Sequence, residues 1–434
     1  MRLCYVIHQF LPWASSGTEQ YCLATAREAR RRGDDVTILS LHWDHERTEP
    51  PIRVHDEPYD GFRVLRLNHG RVVNPNDALR DYENLHLEGW FARILAQIAP
   101  DAVHFFHLRQ LGSNLIPIAK AGGARVVLSL TDFWFLCPRF TMLRSDGHLC
   151  AGPIDHGRAC IPCHAPELVD VAPSTTPAES TNTPGDRARA LLDRPARQRA
   201  NFRVADAVFA PSRFLADAFA ANGLTHDGLL VQPYGLDPHR ITPIPTERPR
   251  SPLRLAFCGV LSPWKAPRLV VESLRHVQAP VRLAIHGNLD EGMFADYIAT
   301  LRTAAASDPR VELRGPYDAA RAAQVFADMD VLVVPSLWYE NTPFVVLEAF
   351  AAGVPVVASD LGGLTEVVRD GIDGRLFRAG DAKALGAVLQ ELAANPDSLR
   401  SLRPSPPNGI AVDYEAFARA YRHPEQVAST APRS

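Results

Sequence analysis

Short apolar runs alternate with stretches of helical period along most of this chain. In the first half, residues 2–8, 36–41, 102–106, 125–130, 206–210 and 229–234 are strand-length apolar runs. Between them, 17–32, 77–99, 111–121, a stretch ending near 204 and a segment opening at Pro211-Ser212 carry helical spacing. The longest has Leu79, Tyr82, Leu85, Trp90, Ile94 and Ile98 on its apolar side. The second half restarts the alternation, with strands at 253–258, 281–286, 311–314, 331–334 and 354–359. Helices at 266–277, 291–305, 318–328 and 344–352 separate them. Strands that alternate with helices predict parallel, doubly wound α/β sheets.

The breaks in this pattern mark the domains. Residues 236–252 hold five prolines and read as a linker between a first domain, 1–235, and a second, 253–408. Residues 165–184, rich in Pro, Ser and Thr, read as a flexible surface insertion. A proline-rich stretch from Pro404 precedes a final helix within 409–422, and 423–434 reads as a disordered tail.

A chain of 434 residues, 46% hydrophobic, is long enough for two such cores. The net charge of −3 carries no nucleic-acid footprint. The N-terminus lacks the pattern of a signal peptide, and the apolar runs are too short to cross a membrane. Seven cysteines in a chain this large fit a reducing cytoplasm better than a disulfide scaffold.

Candidate chemistry concentrates between Val331 and Gly363. A buried strand, Val331–Val334, runs into a loop carrying Trp338, Tyr339 and Glu340. Asn341 or Thr342 can then cap a helix with Pro343 at its first position, leading into Phe344. Ligands of open α/β sheets bind at the carboxyl ends of strands, and a helix N-terminus aimed there attracts phosphate. Glu348 lies about one and a half turns into that apolar helix. The plainer reading is a buried helix with one satisfied and one rim glutamate.

The Glu340-x7-Glu348 pair, with its PS and GVPV strands and following Gly-Gly turn, resembles the signature of family 4 of the retaining glycosyltransferases. The resemblance implies the GT-B fold, two Rossmann-like domains facing across a cleft. It implies that Glu340 holds the transferred sugar and Glu348 the nucleotide ribose. Gly259-Val-Leu-Ser-Pro-Trp-Lys265 resembles the family's pyrophosphate turn, with Lys265 in place and Val260 where an Arg is usual; Arg268 is a candidate substitute. Gly259, Gly287 and Gly315, with Thr342, Pro343 and Phe344, complete the implied donor site.

On the acceptor side, Ser16–Gly17 stands where the family has a glycine pair, and Thr131 stands where it has a histidine. Asp132 next to it, and His107 at the adjacent strand end, are the ionisable alternatives. PSRF at 211–214 and VQPYGLD at 231–237 also match the family. The arginine face Arg27, Arg30, Arg31 and Arg32 is similar to helices by which some members dock on membranes. Glu28, Asp34 and Asp35 dilute its charge, which favours a solvated helix end.

Two further features stand apart. Cys137, Cys150, Cys160 and Cys163 have the spacing C-x12-C-x9-C-x2-C, enough thiolates for a structural zinc or an iron–sulfur cluster clipping a loop over 137–164. Their plainer reading is reduced thiols. Asp328-Met329-Asp330 precedes its strand, at the wrong end for a ligand site, and is read as a helix end.

The resulting expectation is a retaining transferase taking a nucleotide-sugar donor and a carbohydrate or lipid-linked acceptor, without a catalytic metal. It would act in glycan, polysaccharide or glycolipid synthesis, in the cytoplasm or at the inner face of the membrane. A non-catalytic nucleotide-sugar-binding protein, or an epimerase or hydrolase on the same fold, is the alternative.

Overall fold

The computed structural model describes residues 1–44, 52–70, 79–153, 155–177, 183–243, 249–290, 292–318 and 321–423. The chain divides into two compact units, Met1–Pro233 with the chain from Ile410 on, and Tyr234–Gly409. The described parts of the proline-rich 236–252 stretch fall in the second unit. The expected tail, apart from His423, lies outside the described residues.

The first unit holds β1 (Arg2–Ile7), β2 (Asp35–Asp44), β3 (Ile52–Tyr59), β4 (Phe62–Gly70), β5 (Ala102–Phe105), β6 (Arg125–Ser129), β7 (Ala207–Ala210) and β8 (Leu229–Val231). Their order is β3-β4-β2-β1-β5-β6-β7-β8, all parallel except the edge hairpin β3–β4. That hairpin has no counterpart among the elements read from the pattern, although Asp60-Gly61 supplies its signal. Both residues take positive φ, 52° and 74°, as a tight hairpin turn requires. Its outer strand, IRVHDEPY, carries charges and Pro58, which blunt the exposed edge.

The expected helix 77–99 is shorter, Leu85–Ile98, with Leu79 and Tyr82 buried in the turn ahead of it. The arginine face is matched by carboxylates. Arg27 pairs with Asp60, Arg31 and Arg32 with Glu28, and Arg32 also with Glu415, while Arg30 donates to the Asp60 carbonyl. Among the described residues no helix is long and apolar enough to cross a membrane.

The second unit holds β9 (Leu253–Cys258), β10 (Val281–His286), β11 (Val311–Leu313), β12 (Val331–Val334), β13 (Val356–Ser359) and β14 (Gly374–Phe377). The order β11-β10-β9-β12-β13-β14 is the dinucleotide-fold order 3-2-1-4-5-6. β14 and the helix Ala382–Ala394 extend the alternation past the elements the pattern shows. Every strand pair is parallel and both faces are covered, so β12 is VLVV with all four residues buried. Asp330 is fully buried and accepts from the backbone N–H of Arg254 at 2.9 Å, which makes the DxD a structural clamp.

The helix Ile410–Arg422 packs into the first unit through polar as well as apolar contacts. Tyr21 donates to Asp413 at 2.6 Å, Tyr414 donates to Asp34, and Tyr421 meets His104 Nδ1 at 2.6 Å. His104 lies within the buried strand β5, and its other nitrogen meets the Ser129 hydroxyl at 2.8 Å. Burial holds its pKa down at about 3, against 6.5 ordinarily. A neutral native histidine and a protonatable unfolded one mean that this contribution to stability is complete above pH 6.5. It is lost progressively as pH falls towards 3. Urea unfolding at pH 7 and pH 5 should show a fall in stability on acidification that is smaller in His104→Asn than in the wild type.

Candidate functional site

In the second unit the sequence order changes direction between β9 and β12, and the chain leaves both strands there. After β9, Gly259 donates to the His286 carbonyl, and Gly287 after β10 donates to the Gly315 carbonyl, both at 3.0 Å. The three predicted glycines therefore form one backbone row beyond the strand ends. Space is the reason at Gly287: a Cβ there would lie 2.4 Å from the Gly259 oxygen. The turn continues to Trp264, whose carbonyl accepts from Leu337 N–H at 2.8 Å, tying it to the loop after β12.

That tie brings Lys265 against Glu340. Lys265 Nζ donates to Glu340 Oε1 at 2.6 Å, and the same oxygen accepts from the Ser336 hydroxyl at 2.7 Å and Trp338 Nε1 at 2.8 Å. The ammonium lies 5.3 Å from the Trp338 ring centre, a cation–π distance. Glu340 is 4% exposed, so it is not a rim residue. A carboxyl group this deep needs such donors in place of the water it has lost. Its backbone is held from behind by Gly363, whose N–H donates to the Glu340 carbonyl at 2.8 Å; a Cβ there would lie 1.9 Å from the Asn341 oxygen.

The helix starts one residue later than expected. Pro343 has extended backbone, with ψ of 124°, and serves as the N-cap, so Phe344 is the first helical residue and neither Asn341 nor Thr342 takes the cap position. Glu348 is buried on this helix and accepts from Arg240 Nε at 2.6 Å. Burial raises its pKa, and the Arg240 guanidinium opposes that rise. Arg268, the candidate for the cation absent at Val260, pairs with Glu272 on its own helix at 2.6 Å.

In the first unit the change of direction falls between β1 and β5. Gly17 opens the helix after β1, next to Ser16, whose N–H donates to Glu19 at 2.6 Å. His107 and Asp132, after β5 and β6, come together: His107 Nε2 lies 2.9 Å from Asp132 Oδ2. His107 Nδ1 accepts from the Arg109 N–H at 3.2 Å, so the ring proton sits on Nε2 and is donated to the carboxylate. Asp132 is fixed in turn by the Trp134 N–H at 2.7 Å. Thr131 donates its hydroxyl to the Phe106 carbonyl at 3.2 Å. His8 lies against His107 with ring centres 4.1 Å apart and planes tilted by 44°, and burial and that neighbour hold it well below its ordinary pKa.

Sequence reasoning missed Ser336, the Trp338 hydrogen bond, Arg240 and His8. Ser336 and Trp338 lie four and two residues before Glu340, so a loop folded back on its own carboxylate was a readable signal. Arg240 carries none, being 108 residues from Glu348.

Among the described residues no three His, Cys, Asp or Glu groups are placed to hold a metal ion, and Cys137, Cys150, Cys160 and Cys163 are free thiols. The loop finds its order elsewhere. Leu136, Met142 and Leu168 are buried, Leu143 bridges Leu149, and the buried Arg194 donates to the Trp134 and Phe135 carbonyls. Burial pushes the Cys160 thiol up to about 12 and raises Cys137. Elemental analysis of the purified protein should find zinc and iron far below one per chain.

Comparison with known proteins places both halves. The family model described as "Glycosyltransferase Family 4" matches residues 15–240, and that described as "Glycosyl transferases group 1" matches 252–395. A D-inositol 3-phosphate glycosyltransferase of Nocardia farcinica is 33% identical over 204 residues, covering 40% of this chain and 45% of that one. The chain spans about half the length of the curated relatives it matches. Among solved structures, sucrose-phosphate synthase from Thermosynechococcus elongatus aligns over 99% of this chain and 96% of its own, with TM-score 0.64 and 17% identity. Anabaena Alr3699/HepE in complex with UDP and glucose aligns over 99% and 97%, with TM-score 0.59 and 16% identity.

Proposed function

This chain belongs to glycosyltransferase family 4 and has the GT-B fold, and from that premise we propose that it transfers a sugar from a nucleotide-sugar donor to an acceptor hydroxyl with retention of anomeric configuration. The observation that carries the reading is Glu340. It is a buried carboxylate held by Lys265, Ser336 and Trp338 at the point where the second sheet changes direction, with Glu348 about one turn into the helix that follows.

Such a transfer must stabilise a departing diphosphate while the sugar takes on oxocarbenium character. Lys265 keeps further N–H donors beyond the one given to Glu340, because an ammonium carries three. It would take a phosphate oxygen, together with the amide end of the helix Phe344–Ala351. Glu340 would hold the sugar hydroxyls and Glu348 the ribose. In the first unit, His107 supplies the imidazole that Thr131 lacks, oriented by Asp132, and would line the acceptor side with Gly17. A nucleotide-sugar donor and a carbohydrate or lipid-linked acceptor fit glycan, polysaccharide or glycolipid synthesis on the cytoplasmic side.

The test offers UDP-, GDP- and ADP-sugars with and without acceptors; UDP comes first because HepE was solved with it. Glu340→Ala should abolish transfer with the circular dichroism spectrum intact, and wild-type turnover in that variant sinks the assignment. Lys265→Ala should lower kcat about a hundredfold or more, ~3 kcal/mol of transition-state stabilisation. NMR of the first product formed should show the donor's anomeric configuration.

A further inference from the structure

Glu348 is useful to a ribose only as an anion, because vicinal hydroxyls donate to a carboxylate and a carboxylic acid spends one oxygen as a donor. Yet it sits 5% exposed on a helix that is otherwise apolar, where burial favours the neutral form. Arg240, the cation hydrogen-bonded to it, comes from a different part of the chain.

The segment Tyr234–Ile241 runs along this helix and is fixed at three places. Tyr234 stacks on Phe344, the first helical residue, with ring centres 5.0 Å apart and planes 17° apart. Leu236 bridges Gly409 and donates its N–H to the Asn408 carbonyl at 2.8 Å. Ile241 is buried in the same cluster as Val346, Ala349 and Phe350 of the helix. Between these anchors a turn closes, the Asp237 carboxylate accepting from the His239 N–H and its carbonyl from the Arg240 N–H, both at 2.9 Å. That turn sets the register at which Arg240 meets Glu348.

We infer that Arg240 is a positioning residue for the donor's ribose: strapped along the helix by Tyr234, Leu236 and Ile241, it keeps Glu348 ionised and fixes one of its oxygens. The inference rests on the reading that Glu348 takes the ribose. It explains why a cation stands at position 240, a residue that itself needs no contact with the nucleotide. The titratable groups beside Glu348 are Cys258 and Tyr317, with His286 behind Tyr317. Burial pushes Cys258 up to about 12 and Tyr317 well above its ordinary value, and His286, edge-on to Tyr317, is held below its own.

The experiment measures binding of UDP, GDP and ADP by calorimetry, each beside its 2′-deoxy counterpart, to wild type, Arg240→Gln and Arg240→Lys. Melting curves establish that each variant is folded. Wild type should prefer the ribonucleotide. In Arg240→Gln the preference should shrink on the order of tenfold at pH 6.5. It should return as pH rises towards 9, because loss of the guanidinium leaves burial to raise the Glu348 pKa unopposed. Arg240→Lys should keep the preference across that range. A purely structural link between segment and helix lowers the melting temperature and leaves the ribose preference and its pH profile unchanged; that result overturns the role of Arg240 alone. A wild type that binds none of the three, or does not distinguish the pairs, brings down the donor-site reading and this inference with it.

Discussion

Two carboxylates sunk into an apolar frame set the terms for the second unit. Leaving either one buried and unpaired would cost several kcal/mol, so each demands a cation and a full set of donors. Glu340 obtains Lys265 from the turn after β9 and Ser336 and Trp338 from its own loop. Glu348 obtains Arg240 from the segment after β8. The backbone features around them serve that supply. The Trp264–Leu337 bond joins the two loops, Gly363 admits the Glu340 backbone at close range, and Tyr234 and Ile241 fix the register of Arg240. Replacing these ion pairs with hydrocarbon would cost little stability in principle. Their retention is therefore better explained by what the carboxylates do than by what they hold together.

The first unit answers the same constraint with neutral groups. His104 lies in a fully buried strand and is satisfied by Ser129 and Tyr421 without a charge, so it anchors the helix Ile410–Arg422. His107, two residues past the end of the same strand, is turned to a carboxylate instead. One imidazole thus lies inside the strand and the other beyond its end. Arg194 contributes from behind, its buried guanidinium holding the carbonyls of Trp134 and Phe135 and so the stretch that presents Asp132.

Much of this was legible in the sequence, and the exceptions are instructive. Fully buried parallel strands read as plain apolar runs, so β1, β5, β6, β9, β10 and β12 stand out, and the Glu-x7-Glu spacing marks the loop and helix that follow β12. The β3–β4 hairpin hides because β3 is largely exposed and both strands mix charged with apolar residues, with only Asp60-Gly61 to announce it. The Cys137–Cys163 spacing suggested a metal because a long loop with glycines and prolines seemed to lack a core. Its core is contributed by Leu136, Met142, Leu168 and the distant Arg194, which spacing cannot reveal. Glu340 and Glu348 could be named from local pattern, but their partners Lys265 and Arg240 lie 75 and 108 residues away and meet them only through the sheet order.

That sheet order also accounts for the choice of lysine at 265 in a chain whose 46 basic residues include only three lysines. An arginine fork would match the Glu340 carboxylate in two parallel bonds and commit its geometry to it. Here one Glu340 oxygen is already shared with Ser336 and Trp338, and a single N–H completes it. An ammonium satisfies that oxygen and still presents donors in other directions, so one cation can serve the carboxylate that would hold the sugar and the phosphate that would leave it. On the proposed reading the two negative groups would then be bridged through Lys265, and the repulsion between them would be relieved at the bond that must break.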